Sequence, residues 1–239
     1  MKKHILTVLL AAALACVMAV PAMAGIWTVT AGGRWRYDVY GRGTEDGMLK
    51  NQWAWLDGNS DGVSECYYFD ADGYMAADTE VDGYTVNASG QWTVNGVVQT
   101  KIEGVSINSA NAVDLTAEAP SELHYAEQFE TAQTAGGLTW ENGIRLEGAL
   151  DHAAYVTYHL DKQYSAMTIT FAPEAGQTGA QIGRVTVTGL SSGRSLYRSD
   201  KISPTGDAIN VTFNVSGESD VRINAVRGCN YLIDTITVQ

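Results

Sequence analysis

In the second half of the chain, apolar and polar residues alternate with a period of two. Val156, Tyr158 and Leu160 fall on one side of an extended segment, and Met167, Ile169 and Phe171 on one side of the next, with Thr168 and Thr170 opposite. Val185 and Val187 follow. Ile209, Val211, Phe213 and Val215 then alternate with Asn210, Thr212 and Asn214, and the pattern ends with Val221, Ile223, Ala225, Ile236 and Val238. Such runs, divided by Gly, Ser, Asn and Asp, predict antiparallel strands with one buried and one polar face. Several of them in series predict a β-sandwich. His159 falls on the outward side with Tyr155 and Thr157. Ser121 to Thr134 reads as the place for a short helix in this half.

The first half has a different rhythm. Trp53-Ala54-Trp55-Leu56 and Cys66-Tyr67-Tyr68-Phe69 are short aromatic runs, hence β-prone. Turn clusters separate them: Asp57 to Gly62, Asp70-Ala71-Asp72-Gly73 and Asn87-Ala88-Ser89-Gly90. The phrases YYFDADGYM and YTVNASGQWTV share one layout, an internal repeat of about 20 residues. A unit that short cannot bury its own face, so consecutive hairpins must stack as in a solenoid. The expected fold class is all-β: short stacked β-hairpin repeats followed by an antiparallel sandwich.

Residues 1–24 read as an address. Lys2 and Lys3 precede an apolar run from Ile5 to Val20, Pro21 breaks it, and Ala22-Met23-Ala24 offers small residues for cleavage after Ala24. That is the pattern of a secretory signal peptide, and no second apolar segment suggests a membrane span. Cys16, after Leu14-Ala15, is an alternative lipid-attachment position. The expected organisation is a signal peptide (1–24), hairpin repeats (25–101), a linker or loose leading strand (102–122) and a sandwich (123–239), in a secreted, cell-wall-associated protein.

Charge and composition narrow the partners. The net charge of −12 becomes −14 without Lys2 and Lys3, which argues against nucleic acid or an anionic surface. Residues 26–100 hold 12 aromatics and residues 101–239 hold 10, so ring density roughly halves near Lys101. Export would permit a disulfide between Cys66 and Cys229, and two buried thiols are equally compatible with the sequence. No Gly-x-Ser-x-Gly elbow, His-Glu-x-x-His helix or cysteine-nucleophile signature is present, and nothing selects a pair of acidic residues for glycoside hydrolysis. The chain reads as non-catalytic.

GGRWRYDVYG, NQWAWLDGN, ECYYFDADGYMAAD and DGYTVNASGQWTVNGVVQTK resemble the choline-binding type of cell-wall-binding repeat, found on secreted proteins of Gram-positive bacteria. The resemblance runs from Gly33 to Lys101. It implies Trp and Tyr faces that cage choline on teichoic acid or form platforms for glucan, with Trp35, Tyr37, Trp53, Trp55, Tyr68 and Tyr74 at the matching positions. A ring face attracts a quaternary ammonium through its quadrupole. The alternative for any one ring is a place in the core. Asp57, Asn59 and Asp61, followed by Gly62, also match the first half of a Ca²⁺ loop, although position twelve holds Tyr68. A plain hairpin turn is the other reading.

The second half, from Leu138 to Gln239, resembles the carbohydrate-binding module that accompanies family 98 glycoside hydrolases (NPCBM). The phrases that carry it are Tyr158-x-Leu160-x-x-x-Tyr164, Gly193-x-x-Leu196-Tyr197-x-Ser199 and Val215-Ser216-Gly217. His152-Ala153 corresponds to the end of its small-His-Ala phrase. This resemblance implies a jelly-roll fold and glycan binding. The combined expectation is attachment to the cell wall through the repeats and glycan binding through the sandwich. The alternative is an adhesion or scaffold protein whose sandwich contacts protein.

Overall fold

The structure, a computed structural model, describes every residue except 1–24, 60–61, 103, 106–110, 117, 149–151, 178–181 and 227. The expected signal peptide, Cys16 and Asp61 therefore lie outside the described residues. Of the described residues, nearly all regular structure is strand, and a short 3₁₀ turn spans Glu45–Gly47. No helix among them is long and apolar enough to cross a membrane.

Three hairpin layers form the N-terminal part. β1 (Ile26–Val29) pairs with β2 (Trp35–Asp38), and β3 (Gln52–Leu56) pairs with β4 (Ser64–Phe69). β5 (Thr79–Val81), β6 (Tyr84–Val86), β7 (Trp92–Val94) and β8 (Val97–Lys101) continue as an antiparallel meander. Alternation along β3 and β4 gives that hairpin two apolar faces. Ala54, Leu56 and Phe69 form a buried cluster with Tyr37 and Leu49, against which Trp27, Tyr67 and Met75 pack. On the opposite face Trp53 lies across from Tyr68, and these rings meet Tyr84 and, through Trp55, Trp92.

The repeat is visible in the turns. At Asp70–Tyr74, the Asp70 Oδ1 accepts the backbone N–H groups of Asp72 and Tyr74, and the two end residues are hydrogen-bonded at 2.9 Å. At Asn87–Gln91, Asn87 Oδ1 accepts from Ser89 and Gln91 in the same way. A third copy, at Thr30–Arg34, uses the Thr30 hydroxyl to accept from Arg34. The glycine before the last residue of each turn has φ of +77°, +83° and +83° at Gly33, Gly73 and Gly90, a left-handed conformation that other residues adopt only with strain. Gly90 serves a second purpose, because a Cβ there would lie 2.4 Å from the Met75 sulfur.

The C-terminal part is an antiparallel sandwich. One sheet has the order β10-β13-β18-β15-β16, formed by Glu122–His124, Ala154–His159, Asp220–Val226, Arg184–Gly189 and Ser195–Arg198. The facing sheet has the order β11-β12-β19-β14-β17, formed by Ala126–Gln133, Thr139–Leu146, Tyr231–Val238, Ala166–Pro173 and Ala208–Asn214. The inward residues are those expected from the alternation: Val156, Tyr158, Leu160, Met167, Ile169, Phe171, Val185, Val187, Val211, Phe213, Val221 and Ile223 share one core.

Two details differ from the sequence reading or add to it. Ser121 to Thr134 contains β10 and β11 rather than a helix, because β11 pairs along its length with β12 and buries Phe129 and Ala132. Pairing and burial outweigh the helix-tolerant Glu, Ala and Gln content of the segment. Between residues 102 and 122, β9 (Val113–Asp114) pairs with β19, Leu115 enters the core and Ser121 bonds to Thr157. The hairpin part joins the sandwich through β8, which pairs in parallel with β17 from Val97↔Ala208 to Gln99↔Asn210. Cys66 and Cys229 are buried thiols and form no disulfide with each other.

Charge ties the first hairpin to the loop that follows it. Arg36 donates to both carboxylate oxygens of Glu45 at 2.6 and 2.8 Å, and Lys50 adds a third contact at 2.9 Å. These bonds, first that of Arg36, hold the Glu45 carboxyl at about 2. Burial alone would raise the Asp38 carboxyl. The backbone N–H groups of Tyr40, Gly43, Arg42 and Gly41 outweigh burial and keep it below the usual range.

Two outcomes are expected. Phe69→Ala, at a fully buried position, should cost about 3–5 kcal/mol, read as a shift of the denaturant midpoint by tryptophan fluorescence. A loss below about 1 kcal/mol would contradict the central place of Phe69. Glu45 and Asp38 have folded pKa values below their unfolded ones, so their stabilisation is present above about pH 4.5 and is lost as pH falls toward 2. The melting temperature should fall through that window, and less steeply in Glu45→Gln. An identical acid profile in the variant would refute this assignment.

Candidate functional site: an aromatic cage between hairpins

Trp27 on β1 is the ring around which the site is built. Its centroid lies 6.3 Å from Trp35, 5.1 Å from Tyr37, 4.9 Å from Tyr67 and 5.9 Å from Phe69. The first three contacts are edge-on, with interplanar angles of 86°, 71° and 69°. Such T-shaped contacts are favourable between quadrupoles, and they set neighbouring ring faces at steep angles instead of in one plane. Between the hairpins this leaves a cavity of about 280 Å³, lined by Trp27, Trp35, Tyr67, Met75 and Ser89.

Each wall has a local cause. Trp35 is drawn to this side by its place on β2 and remains 44% exposed. Tyr67 points here because its neighbour Tyr68 must point to the other face of β4. Met75 is positioned by its backbone N–H, which donates to the Trp35 carbonyl at 2.8 Å. Its thioether is admitted by the bare Cα of Gly90. Burial pushes the Tyr67 phenol up, with Glu65 adding to that effect. Tyr67 therefore presents a neutral ring at neutral pH. The enclosure contains ring faces and a polarisable sulfur and has no charged side chain in its lining. That is suited to a soft, weakly hydrated cation.

The six ring positions inferred from sequence fall in different places. Trp35 lines the cavity. Tyr37 is 5% exposed and packs in the core beside Trp27. Trp53, Trp55 and Tyr68 lie on the opposite face of the hairpin with Tyr84 and Trp92, and Lys101 sits 5.4 Å above the Trp55 ring. Tyr74 is covered by the Arg34 guanidinium at 3.7 Å. Trp27, Tyr67 and Met75 were not singled out by sequence reasoning. The alternation rule could have found Tyr67, since adjacent residues of a strand cannot share a face.

In the Asp57 turn, the Asp57 carboxylate accepts from the Gly62 N–H at 2.9 Å, and Asn59 donates to Asp200. The described part thus closes a hairpin with its own donors. Among the described residues, no three His, Cys, Asp or Glu side chains converge in a way that could hold a metal.

On the outer face of the sandwich, Tyr155 stacks on His124 at 4.8 Å and lies under the Arg222 guanidinium at 3.8 Å. Glu122 accepts from both Tyr155 and Arg222. Nearby Tyr125 is half exposed, has φ of +45° and stacks on His152 at 3.8 Å. His159 has both ring nitrogens against carboxylates, Asp220 at 2.8 Å and Asp161 at 2.6 Å. The Asp220 bond, then Asp161, raises its pKa.

Residues 47–92 match the family model of the choline-binding repeat. No curated protein matches the chain. Among solved structures, the chain is similar to a family 51 carbohydrate-binding module of a family 95 glycoside hydrolase from Clostridium perfringens, solved with methyl-galactose. Identity is 11%, coverage is 54% of this chain and 100% of that one, and the TM-score is 0.43. Tandem family 51 modules of a family 98 glycoside hydrolase from Streptococcus pneumoniae give 8% identity, coverage of 57% and 51%, and a TM-score of 0.43. The second family 51 module and INT domains of Clostridium perfringens ZmpB, solved with GlcNAc, give 9% identity, coverage of 89% and 45%, and a TM-score of 0.48. This chain spans about half the length of those last two chains. Residues 47–92 of this all-β protein are thus similar to a choline-binding repeat.

Proposed function

We propose that this is a secreted, non-catalytic protein that attaches to the bacterial cell wall through its aromatic hairpins and holds a glycan with its sandwich. The observation that carries the first part is the cage itself: Trp27, Trp35, Tyr67 and Met75, brought from two hairpins and the following turn around one cavity. Its steep ring angles favour a compact cation over a flat sugar, which would stack better on a coplanar platform. This selects choline on teichoic acid over glucan as the wall ligand. The acidic balance of residues 26–100, with four basic and eleven acidic side chains, adds a field that attracts a cation. One cage of this kind gives weak attachment, and several wall ligands per protein or per complex would strengthen it.

For the sandwich, support comes from the ordered phrases of its sequence and from the half-exposed ring of Tyr125 on its surface. A strained, half-exposed Tyr125 held by a stacked His152 is the kind of costly arrangement that persists where it serves a purpose.

Calorimetric titration of the protein with choline tests the wall-binding part. Binding is expected, and Trp35→Ala should weaken it about tenfold or more, the loss of one desolvated cation–π wall worth roughly 2 kcal/mol. Retained affinity in that variant would refute the cage. A glycan array probed with the full chain tests the second part. Binding that Tyr125→Ala removes supports a sugar site, whereas an array without signal favours a sandwich that contacts protein.

A further inference from the structure

The outer face of the β10-β13-β18-β15-β16 sheet carries a charge pattern unlike the rest of the chain. Val185, Val187 and Tyr197 point into the core, so Arg184, Thr186 and Arg198 point outward. Thr186 lies opposite Arg198, and Arg184 stands two residues before Thr186 on the same strand. The two arginines are therefore diagonal neighbours on one face, roughly 7–8 Å apart along the backbone grid.

Among the described residues, neither guanidinium meets a carboxylate. Arg184 Nη1 donates to the Ser199 carbonyl at 2.5 Å, a bond that fixes the side chain and leaves its charge uncompensated. Arg198 is exposed, and its side chain bonds to none of the described residues. The acidic groups of this region are engaged elsewhere. Glu122 holds Arg222, Asp220 holds His159, and the Asp200 carboxylate accepts from Asn59. Like charges side by side on a sheet repel each other. The chain as a whole has 27 acidic against 15 basic residues. Two adjacent cations left without carboxylates on such a protein mark a place to which an anion is drawn.

The surroundings suit a sugar. Asn224 Nδ2 donates to the carbonyls of Thr186 and Arg222 at 3.3 and 3.2 Å, which leaves its Oδ1 to accept from a hydroxyl. The Thr186 and Thr188 side chains stand on the same face. Tyr155 on this face is covered by the Arg222 guanidinium at 3.8 Å. A neutral sugar therefore finds no open tyrosine platform here, and charge must supply the recognition. An acidic peptide would need a free strand edge to pair with. β16 is the edge strand, but it has only four residues and its pairing shifts register at Val187/Thr188. Shortness and a bulge both blunt an edge.

We propose that Arg184 and Arg198 form a subsite for the carboxylate of an acidic sugar, which lies against the outer face with its hydroxyls on Asn224 and Thr186. This rests on the reading that the sandwich holds a glycan, and it adds the class of glycan. Guanidinium N–H groups pair with a carboxylate in charge-assisted contacts. Their exposure limits the gain to that of screened surface pairs.

The test is an array that carries acidic glycans beside their neutral counterparts, sialylated next to desialylated and uronic next to carboxyl-reduced. It is probed with the full chain at low ionic strength. Carboxylate-bearing spots should reach half-saturation at about tenfold lower protein concentration than their counterparts, equivalent to about 1.4 kcal/mol. Added salt should shrink the preference. Arg198→Gln has no bond to lose, so it should leave the melting temperature unchanged while cutting the preference to about threefold. Arg184→Gln combined with Arg198→Gln should abolish it. Arg222→Gln removes an equal charge from the same face, yet should leave the preference intact because Arg222 is already paired with Glu122. Equal binding of acidic and neutral members would overturn this proposal alone, as would a preference that survives the double variant. An equal loss in Arg222→Gln would trace the effect to net charge and overturn it too. An array without any signal would remove the glycan reading and this proposal with it. A polyglutamate peptide that binds as tightly as the acidic glycans, and loses binding in the double variant, would reassign the face to acidic peptide and overturn the proposal.

Discussion

The β3–β4 hairpin has two apolar faces and cannot bury either one by itself. Ala54, Leu56 and Phe69 project one way, and Trp53, Trp55 and Tyr68 the other. An isolated two-stranded hairpin is marginal in water, and one with rings on both sides would be a liability. The β1–β2 hairpin covers the first face through Trp27, and the β6–β7 pair covers the second through Tyr84 and Trp92. Because the covering layers are themselves thin, they leave gaps where large rings meet edge-on. The cage is one of those gaps, so the element that needs shielding also creates the site.

The same constraint explains the junction with the sandwich. A stack of hairpins ends in an exposed strand edge, and such edges invite unwanted pairing. β8 ends the meander and lies parallel to β17, with the Thr100 hydroxyl donating to the Asn210 carbonyl at 2.7 Å. One sheet therefore runs from β5 through β8 into the sandwich. The sandwich gains a covered edge, and the hairpins gain a rigid base at β8, whose Val98 is buried.

Much of this was legible in the residues. The period-two alternation of Met167-Ile169-Phe171 and Val221-Ile223-Ala225 gave the inward faces of the sandwich, because a strand buried on one side leaves that signature. The Asp70 and Asn87 turns were readable because Asp or Asn, a small residue, Asp or Ser, and Gly adopt that bend by their own hydrogen bonding. The copy at Thr30 was hidden, since a hydroxyl does the same work with a different residue type. Ser121 to Thr134 misled because its strands are imposed by pairing, β11 with the next strand β12 and β10 with the more distant β13, which the composition of the segment does not encode. The cage was only partly legible. Its Trp35 stood out, but Trp27 lies before the recognisable repeats, and Met75 acquires its role only through a backbone bond to Trp35.

On the proposed reading, ring faces at Trp27, Trp35 and Tyr67 recognise positive charge as well as shape. Tryptophan fluorescence titrations with choline and with 3,3-dimethylbutan-1-ol, its neutral isostere of the same outline, test that most directly. Choline is expected to bind about tenfold more tightly, because only the cation is drawn to the ring quadrupoles. Equal affinity for the two would reduce the cage to an apolar hole and rule out recognition of charge.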